Sequence, residues 1–416
     1  MMWIPLLTSE IADLTASEKF FLLGLMREYG TNEEIFGEVK ELGRSFGVTD
    51  KVASSALNKL EKNGWMRRKV IPKEMKSIVK GRYSYCIHAD IANQLSGPVC
   101  AVNSDMVLYV SNASNHIKDK NGRNIRSSLR MFLLTLLAHS TPYGEVNDLS
   151  YTRLKSLLGD LTKDKYRSQI RYLREAGIIS AYIPGFNSNL MFGKMTGRYL
   201  INFSHPALRE FSSLESKVLH VASDIKDQIV HRTIRHLSLK LRSNNIYFEQ
   251  DEFSDIPNSL LDGSFVFTSE KSLYQYVHYF ILEVATIIQV EGKVGSRKKL
   301  ESLLSYDNLL PKSHYSINSI DRGLANAMRV QKRIELLKYV QSLALSGEPW
   351  EQLAKLPPNK VRHYGLIVAL FVRLAEVILK FISNKSVDLG SRTGKFMFHQ
   401  HGQYDVALSW FTHPSK

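Results

Sequence analysis

One stretch of this chain occurs twice, and the repetition constrains the fold more than any other feature. Val48 to Trp65 reads VTDKVASSALNKLEKNGW, and 113 residues later Leu161 to Ile178 reads LTKDKYRSQIRYLREAGI. Under that shift Thr49 falls on Thr162, Ser55 on Ser168, Leu60 on Leu173 and Gly64 on Gly177, with apolar Leu57 on Ile170. Further on, Ile71-Pro72 answers Ile183-Pro184, and Gly81-Arg82-Tyr83 answers Gly197-Arg198-Tyr199 after a small change of length. Two copies of one structural unit in 416 residues leave room for a further, different domain, since a domain of ordinary size takes roughly 150 residues.

Each copy opens on an apolar helical pattern. Leu129, Phe132, Leu133, Leu136 and Leu137 follow the spacing of one helix face. Thr15 and Glu18 have capping-box spacing ahead of Phe20 to Met26. A short second helix is expected around Ile35–Phe46 and again around Tyr151–Leu158. Gly47 and Gly159 follow, where a left-handed residue stops a helix. Thr49 and Thr162 are natural N-caps for a third helix, ending at Asn63-Gly64 and Ala176-Gly177. Beyond it, Trp65–Ile71 with Arg82–Ile87, and Ile178–Ile183 with Arg198–Phe203, read as strand pairs joined by hairpins.

Helix, helix–turn–helix and a two-stranded hairpin is the winged-helix order. GVTDKVASSALNKLEKNGWMRRK resembles the recognition helix and first wing strand of winged helix-turn-helix transcription regulators, including the MarR type. The resemblance covers roughly residues 15–90 and 127–205. The tandem pair is also similar to the architecture of two-winged-helix plasmid replication initiators. The fold class this implies is mainly α with small β-wings: two winged helix-turn-helix domains followed by an α-helical C-terminal domain. The expected boundaries are winged helix one at 1–95, a linker at 96–128, winged helix two at 129–206, and a helical oligomerisation or partner domain at 207–416. Ser111 to Ser128, rich in Ser and Asn and carrying Lys118, Lys120, Arg123 and Arg126, reads as a mobile basic linker.

Charge points to the partner. The chain holds 55 Lys and Arg against 40 Asp and Glu, a net +15. Residues 51–100 carry 10 basic and 3 acidic side chains and residues 151–200 carry 9 and 3, whereas residues 1–50 carry 4 and 9. Two separated basic blocks, one on each copy of the repeat, call for a polyanion. If the third helix buries Ala53, Ala56, Leu57 and Leu60, it shows Lys51, Ser54, Ser55 and Asn58. Its counterpart buries Tyr166, Ile170 and Leu173 and shows Lys163, Arg167, Ser168 and Arg171. Arg bonds both guanine acceptors, Asn bonds adenine, and Ser serves base or phosphate. The N-terminal part of such a helix is what enters a major groove. The first wing is strongly basic, so Lys69, Lys73, Lys80 and Arg82 are expected on phosphates or in a minor groove. The second wing, Pro184 to Gly197, has only Lys194 and the adjoining Arg198, and suits packing against protein as well.

The C-terminal half reads as helical from Ala207 onward. Leu214, Val218, Val221 and Ile225 step by four, three and four, and Leu273–Ile288, Leu324–Leu345 and Val361–Phe381 have broad apolar faces. A homodimer through these C-terminal helices is expected. Enzyme signatures fail. Gly390 to Phe396, GSRTGKF, has one residue too few between its glycines for a phosphate loop, and Phe396 where Ser or Thr belongs. VHRTIRH at 230–236 sets His231 and Arg235 one residue too far apart for a recombinase box. His399 and His401 share a strand face, as in HUH-type metal-dependent nickases, but Gln400 departs from that pattern.

Cys86 and Cys100 are too few for a disulfide framework or a cysteine zinc site. No signal peptide is read at the N-terminus, and Gly365 to Ser383 is broken by Arg373, Glu376 and Lys380. The expectation is therefore a cytoplasmic, nucleoid-associated protein that is not an enzyme and takes no cofactor or metal. Its partner is double-stranded DNA, bound sequence-specifically in transcription regulation, with no membrane involved. A further protein partner or small-molecule effector stays open. The alternative is a plasmid or phage replication-initiation or partition protein, and the third reading is an HUH-like nicking enzyme.

Overall fold

The third helices of the two copies match residue for residue in the computed structural model. It describes residues 3–222 apart from 12, 73, 75–80, 92–94, 96–102, 120–121, 160, 188–193 and 213. Beyond these it describes 271–305, 338, 341, 345, 360–384, 389, 394–401 and 405–412. The first copy runs α1 (Ala16–Tyr29), β1 (Glu34–Phe36), α2 (Val39–Ser45), α3 (Asp50–Lys62), β2 (Met66–Val70) and β3 (Tyr83–Ile87). After α4 (Ser104–Ser111), the second runs α5 (Ser127–Ala138), β4 (Glu145–Val146), α6 (Tyr151–Leu158), α7 (Lys163–Glu175) and β5 (Ile179–Ile183). It then forms the short strands β6 (Phe186–Asn187) and β7 (Lys194–Met195) before β8 (Arg198–Ile201). The sheets have matching orders, β1-β3-β2 and β4-β8-β5.

Local chemistry explains the match. Thr49 Oγ1 accepts from the Val52 N–H at 3.4 Å, and Thr162 Oγ1 from the Lys165 N–H at 3.2 Å, so both third helices start on a side-chain cap. Both end on glycine with φ +71° at Gly64 and +78° at Gly177. There the Trp65 and Ile178 N–H groups reach back 2.9 Å to the carbonyls of Leu60 and Leu173, the six-to-one bond of a Schellman turn. The His88 N–H then donates to Trp65, and the Asn202 N–H to Ile178. Tyr85 and Tyr199 stand at the same distance from these bonds, and they pair with Ile35 and Val146 respectively. The counterpart of Tyr199 is thus Tyr85, not Tyr83. The two Gly-Arg-Tyr triplets are out of register by one pleat, an error that alternation of faces conceals.

The two copies form one body with shared packing. Phe20 to Leu23 of α1 and Met131 to Leu134 of α5 are almost wholly buried, as expected of helices enclosed on all sides. Buried Lys19 of α1 donates to the Leu157 carbonyl at the end of α6. Arg130 of α5 donates to the carbonyls of Ala113 and Asn115, with its guanidinium over the Phe20 ring. Burial pulls the Arg130 pKa down to about 10, which leaves it a cation at neutral pH. Gly159, at φ +79°, lies so close to the N-terminal segment that a Cβ would stand 2.1 Å from the Leu14 carbonyl oxygen.

Three expectations are corrected here. The segment 35–46 is not all helix, because β1 occupies its start and pairs with β3. Within the expected linker 96–128 lie α4, with Val110 buried, and a hairpin closed by Lys118 and Asn124 around buried Ile117 and Ile125. Polar composition concealed the few apolar residues that anchor it. Residues 207–416 are not purely helical: after the short α8 (Pro206–Arg209) comes β9 (Glu215–Ala222).

That strand belongs to a second sheet of order β10-β11-β9, with β10 (Gly394–His401) and β11 (Asp405–Thr412). Val218 and Val221 of the Leu214 run are thus strand, Ile225 lies outside the described residues, and the argument for a homodimer through helices there lapses. Its partner β11 is near the far end of the chain, so no local window reveals the pairing. The same region holds α9 (Lys271–Gly295, interrupted by Gly292 at φ +69°), α10 (Arg297–Leu303) and α11 (Lys360–Asn384). Phe280 meets Phe371 at 5.4 Å between ring centres. Gly394 to Phe396 open β10, and Lys395 pairs with Glu283 instead of shaping a phosphate loop. His399 and His401 lie on β10 opposite Ala407 and Asp405. Most of Leu324–Leu345, and all of 230–236, lie outside the described residues.

The chain divides into two compact units, Met1–Tyr182 with Thr196–Ser212, and Ile183–Met195 with Ser213–Lys416. The described residues are mainly helical with small antiparallel sheets. Among the described residues no helix is long and apolar enough to cross a membrane.

Candidate nucleic-acid interface

Helix α7 buries Tyr166, Ile170 and Leu173 and exposes Lys163, Arg167, Ser168 and Arg171, as its sequence pattern requires. A tyrosine cluster fixes it from below. Tyr166 Oη lies 2.6 Å from Tyr199 Oη and 2.9 Å from Tyr182 Oη, and the rings of Tyr182 and Tyr199 stack at 5.1 Å. Burial raises the pKa of all three, so their hydroxyls stay protonated and bonded to one another. The outward face is much less constrained. The Arg167 and Asp164 side chains approach only to 4.0 Å and are 77% and 97% exposed, a pairing that contributes little in water.

Helix α3 offers a different surface. Ala53, Ala56, Leu57 and Leu60 are buried, and Lys51, Ser54 and Asn58 are exposed. Ser55 is not free to face a ligand as expected: its hydroxyl donates to Glu18 at 2.5 Å. Lys59 Nζ bonds the same carboxylate and the Asp13 carbonyl, each at 2.8 Å. Burial works to raise the Glu18 pKa, but hydrogen bonds from Lys59, Ser55 and Thr15 outweigh it and hold the carboxyl below its ordinary range. An open depression of about 450 Å³ runs over this face, lined by Lys51, Ser54, Ser55, Asn58, Lys59 and Lys62.

The sequence pattern missed Glu18 and Lys59 as partners across two helices. Lys59 and Tyr172 coincide under the 113-residue shift, but their unlike side chains give no signal of a shared role. Each is tethered to the segment at the start of its own copy, Tyr172 by donating to Asp119 at 2.7 Å.

The hairpin of β2 and β3 is partly neutralised by its own copy. Arg68 pairs with Glu61 at 2.8 Å and lies 4.8 Å above the Tyr83 ring. Lys69 pairs with Glu34 at 3.3 Å. Arg82 is exposed, with its guanidinium 5.3 Å from the same ring. Lys73 and Lys80 lie outside the described residues.

In the second copy β6 and β7 form a two-stranded sheet of their own. Residues 183–195 belong to the second compact unit, where Phe186 meets Tyr276 edge-on at 5.6 Å. Lys194 is exposed on that hairpin, whereas Arg198 is half-buried on β8. Comparison of the whole chain with known protein families, with curated proteins and with solved structures gave no significant match.

Proposed function

We propose that the first compact unit is a tandem pair of winged helices that binds double-stranded DNA, with α3 and α7 as its recognition helices, and that its role is transcription regulation. One observation carries the reading. Two helices of 13 residues, capped alike, each followed by an antiparallel hairpin, present Ser54 and Asn58 or Arg167 and Arg171 at the same positions of their exposed faces. These residue types suit base edges in a major groove, and the basic surplus around them suits phosphate. Because one chain carries both helices, a single chain is the proposed binding unit.

The test is specificity. On a duplex selected from a random library, Arg167→Ala and Arg171→Ala each weaken binding by about 1–3 kcal/mol, while binding to random duplex changes less. Asn58→Ala acts in the same sense on the adjoining segment. Equal losses on selected and random DNA would reduce these residues to phosphate contacts. Selected sites that overlap promoters support regulation, and repeated sites beside AT-rich origin DNA support initiation instead.

A further inference from the structure

The stretch between the two copies carries more than a connection. Ile117 and Ile125 are buried and joined by a 2.9 Å backbone hydrogen bond, and Lys118 bridges Asn124. The Asp119 N–H donates to the Arg123 carbonyl, and the Arg123 N–H to Asp119 Oδ1, each at 2.9 Å. Gly122, at φ +75°, lets the chain reverse. Arg130 fixes the base of the hairpin through the carbonyls of Ala113 and Asn115. The other carboxylate oxygen of Asp119 takes the Tyr172 hydroxyl at 2.7 Å, which docks the hairpin on the flank of α7. Burial and Asp119 raise the Tyr172 pKa against an opposing pull from Arg123 and Arg126, so both guanidinium groups lie within electrostatic reach of that hydroxyl.

The acid of this hairpin is therefore turned inward, whereas the cations described around it face out. Lys118, Arg123 and Arg126 are all exposed. Arg126 also occupies the N-cap of α5 and makes no capping bond. A cation at the positive end of a helix dipole is unfavourable by itself, and an external anion relieves it. The first copy has Thr15 at the same place, in a complete capping box.

We propose that this hairpin is a separate phosphate-binding element, in which Lys118, Arg123 and Arg126 grip the duplex backbone beside the groove that α7 reads. The inference rests on the duplex-binding reading of α7. Such contacts position a protein without reading sequence, and each one lost lowers the salt dependence of binding by roughly one unit.

The experiment is a salt titration of the full chain on one selected duplex, for the native protein and for the combined Lys118→Gln, Arg123→Gln, Arg126→Gln variant. Far-UV circular dichroism confirms that the variant folds. The log–log slope is expected to fall by roughly two to three units, with the ratio of selected to random affinity preserved. Tyr172→Phe removes no charge but releases the hairpin, and is expected to weaken binding about threefold. An unchanged slope in the triple variant, while Arg167→Ala still costs specificity, overturns the hairpin proposal and leaves the α7 reading standing. A native chain that binds no duplex at all overturns both.

Discussion

At matched positions of the two third helices, Ser54 stands against Arg167, Asn58 against Arg171 and Lys59 against Tyr172. The scaffold under them is alike, down to the threonine caps and the glycine stops. In the first copy, Lys59, Arg68 and Lys69 each pair with a glutamate of that same copy. In the second, the ion pair of Arg167 with Asp164 is distant and solvated. The hairpins differ as well, since residues 183–195 belong to the second compact unit. One scaffold can thus be held constant while cations beside its third helix are paired within the copy in one case and exposed on that helix in the other. On this account both helices read sequence, α7 through Arg167 and Arg171 and α3 through Ser54 and Asn58.

The largest expected effect concerns what locks the copies together. Gly159→Ala would place a Cβ 2.1 Å from the Leu14 carbonyl oxygen at φ +79°. Backbone strain and overpacking together should cost about 3 kcal/mol or more in urea unfolding of the full chain. Gly47 holds the matching place in the first copy, at φ +64°, but a Cβ there meets only the Ala113 Cβ at 3.4 Å. Gly47→Ala should therefore cost about 1–2 kcal/mol. Equal losses would show that the junction at Leu14 is not what distinguishes the copies.

A smaller effect tests the inward charge of the first copy. Burial works to raise the pKa of the Glu18 carboxyl, but hydrogen bonds from Lys59 and Ser55 outweigh it and hold it below the usual glutamate range. A carboxylate with a lowered folded pKa stabilises the protein above its unfolded pKa, and that contribution fades as the pH falls through the folded value. Glu18→Gln should cost about 1 kcal/mol near neutral pH. The gap between variant and native protein should narrow in acid, as unfolding curves across that range would show. A gap that is constant with pH would mean that the ion pair contributes nothing and Glu18 acts only as a cap.

The features visible in the sequence were those with local causes. Thr49, Thr162, Gly64 and Gly177 mark helix ends because caps and left-handed stops act within a few residues. The buried faces of α3 and α7 follow from helical spacing alone. What the sequence concealed depends on distant partners. Ser55 has the residue type of a groove contact, yet Glu18 from another helix takes its hydroxyl. The strand at Glu215–Ala222 carries apolar residues at spacings compatible with a helix, and its pairing with β11 decides the matter. The hairpin at 117–125 resembles a linker in sequence because Ile117 and Ile125 are its buried apolar anchors in an otherwise polar stretch, and its other ties, to Arg130 and Tyr172, are polar.

The central claim is that one chain carries two duplex-reading helices in a single body. It is tested most directly by a hydroxyl-radical footprint of the full chain on a duplex selected from a random library, with the mass of the complex measured in parallel. The account predicts one chain per duplex and two protected segments, with Arg167→Ala and Arg171→Ala relaxing protection of only one of them. Failure to select any duplex, or a single protected segment indifferent to both arginines, would contradict it.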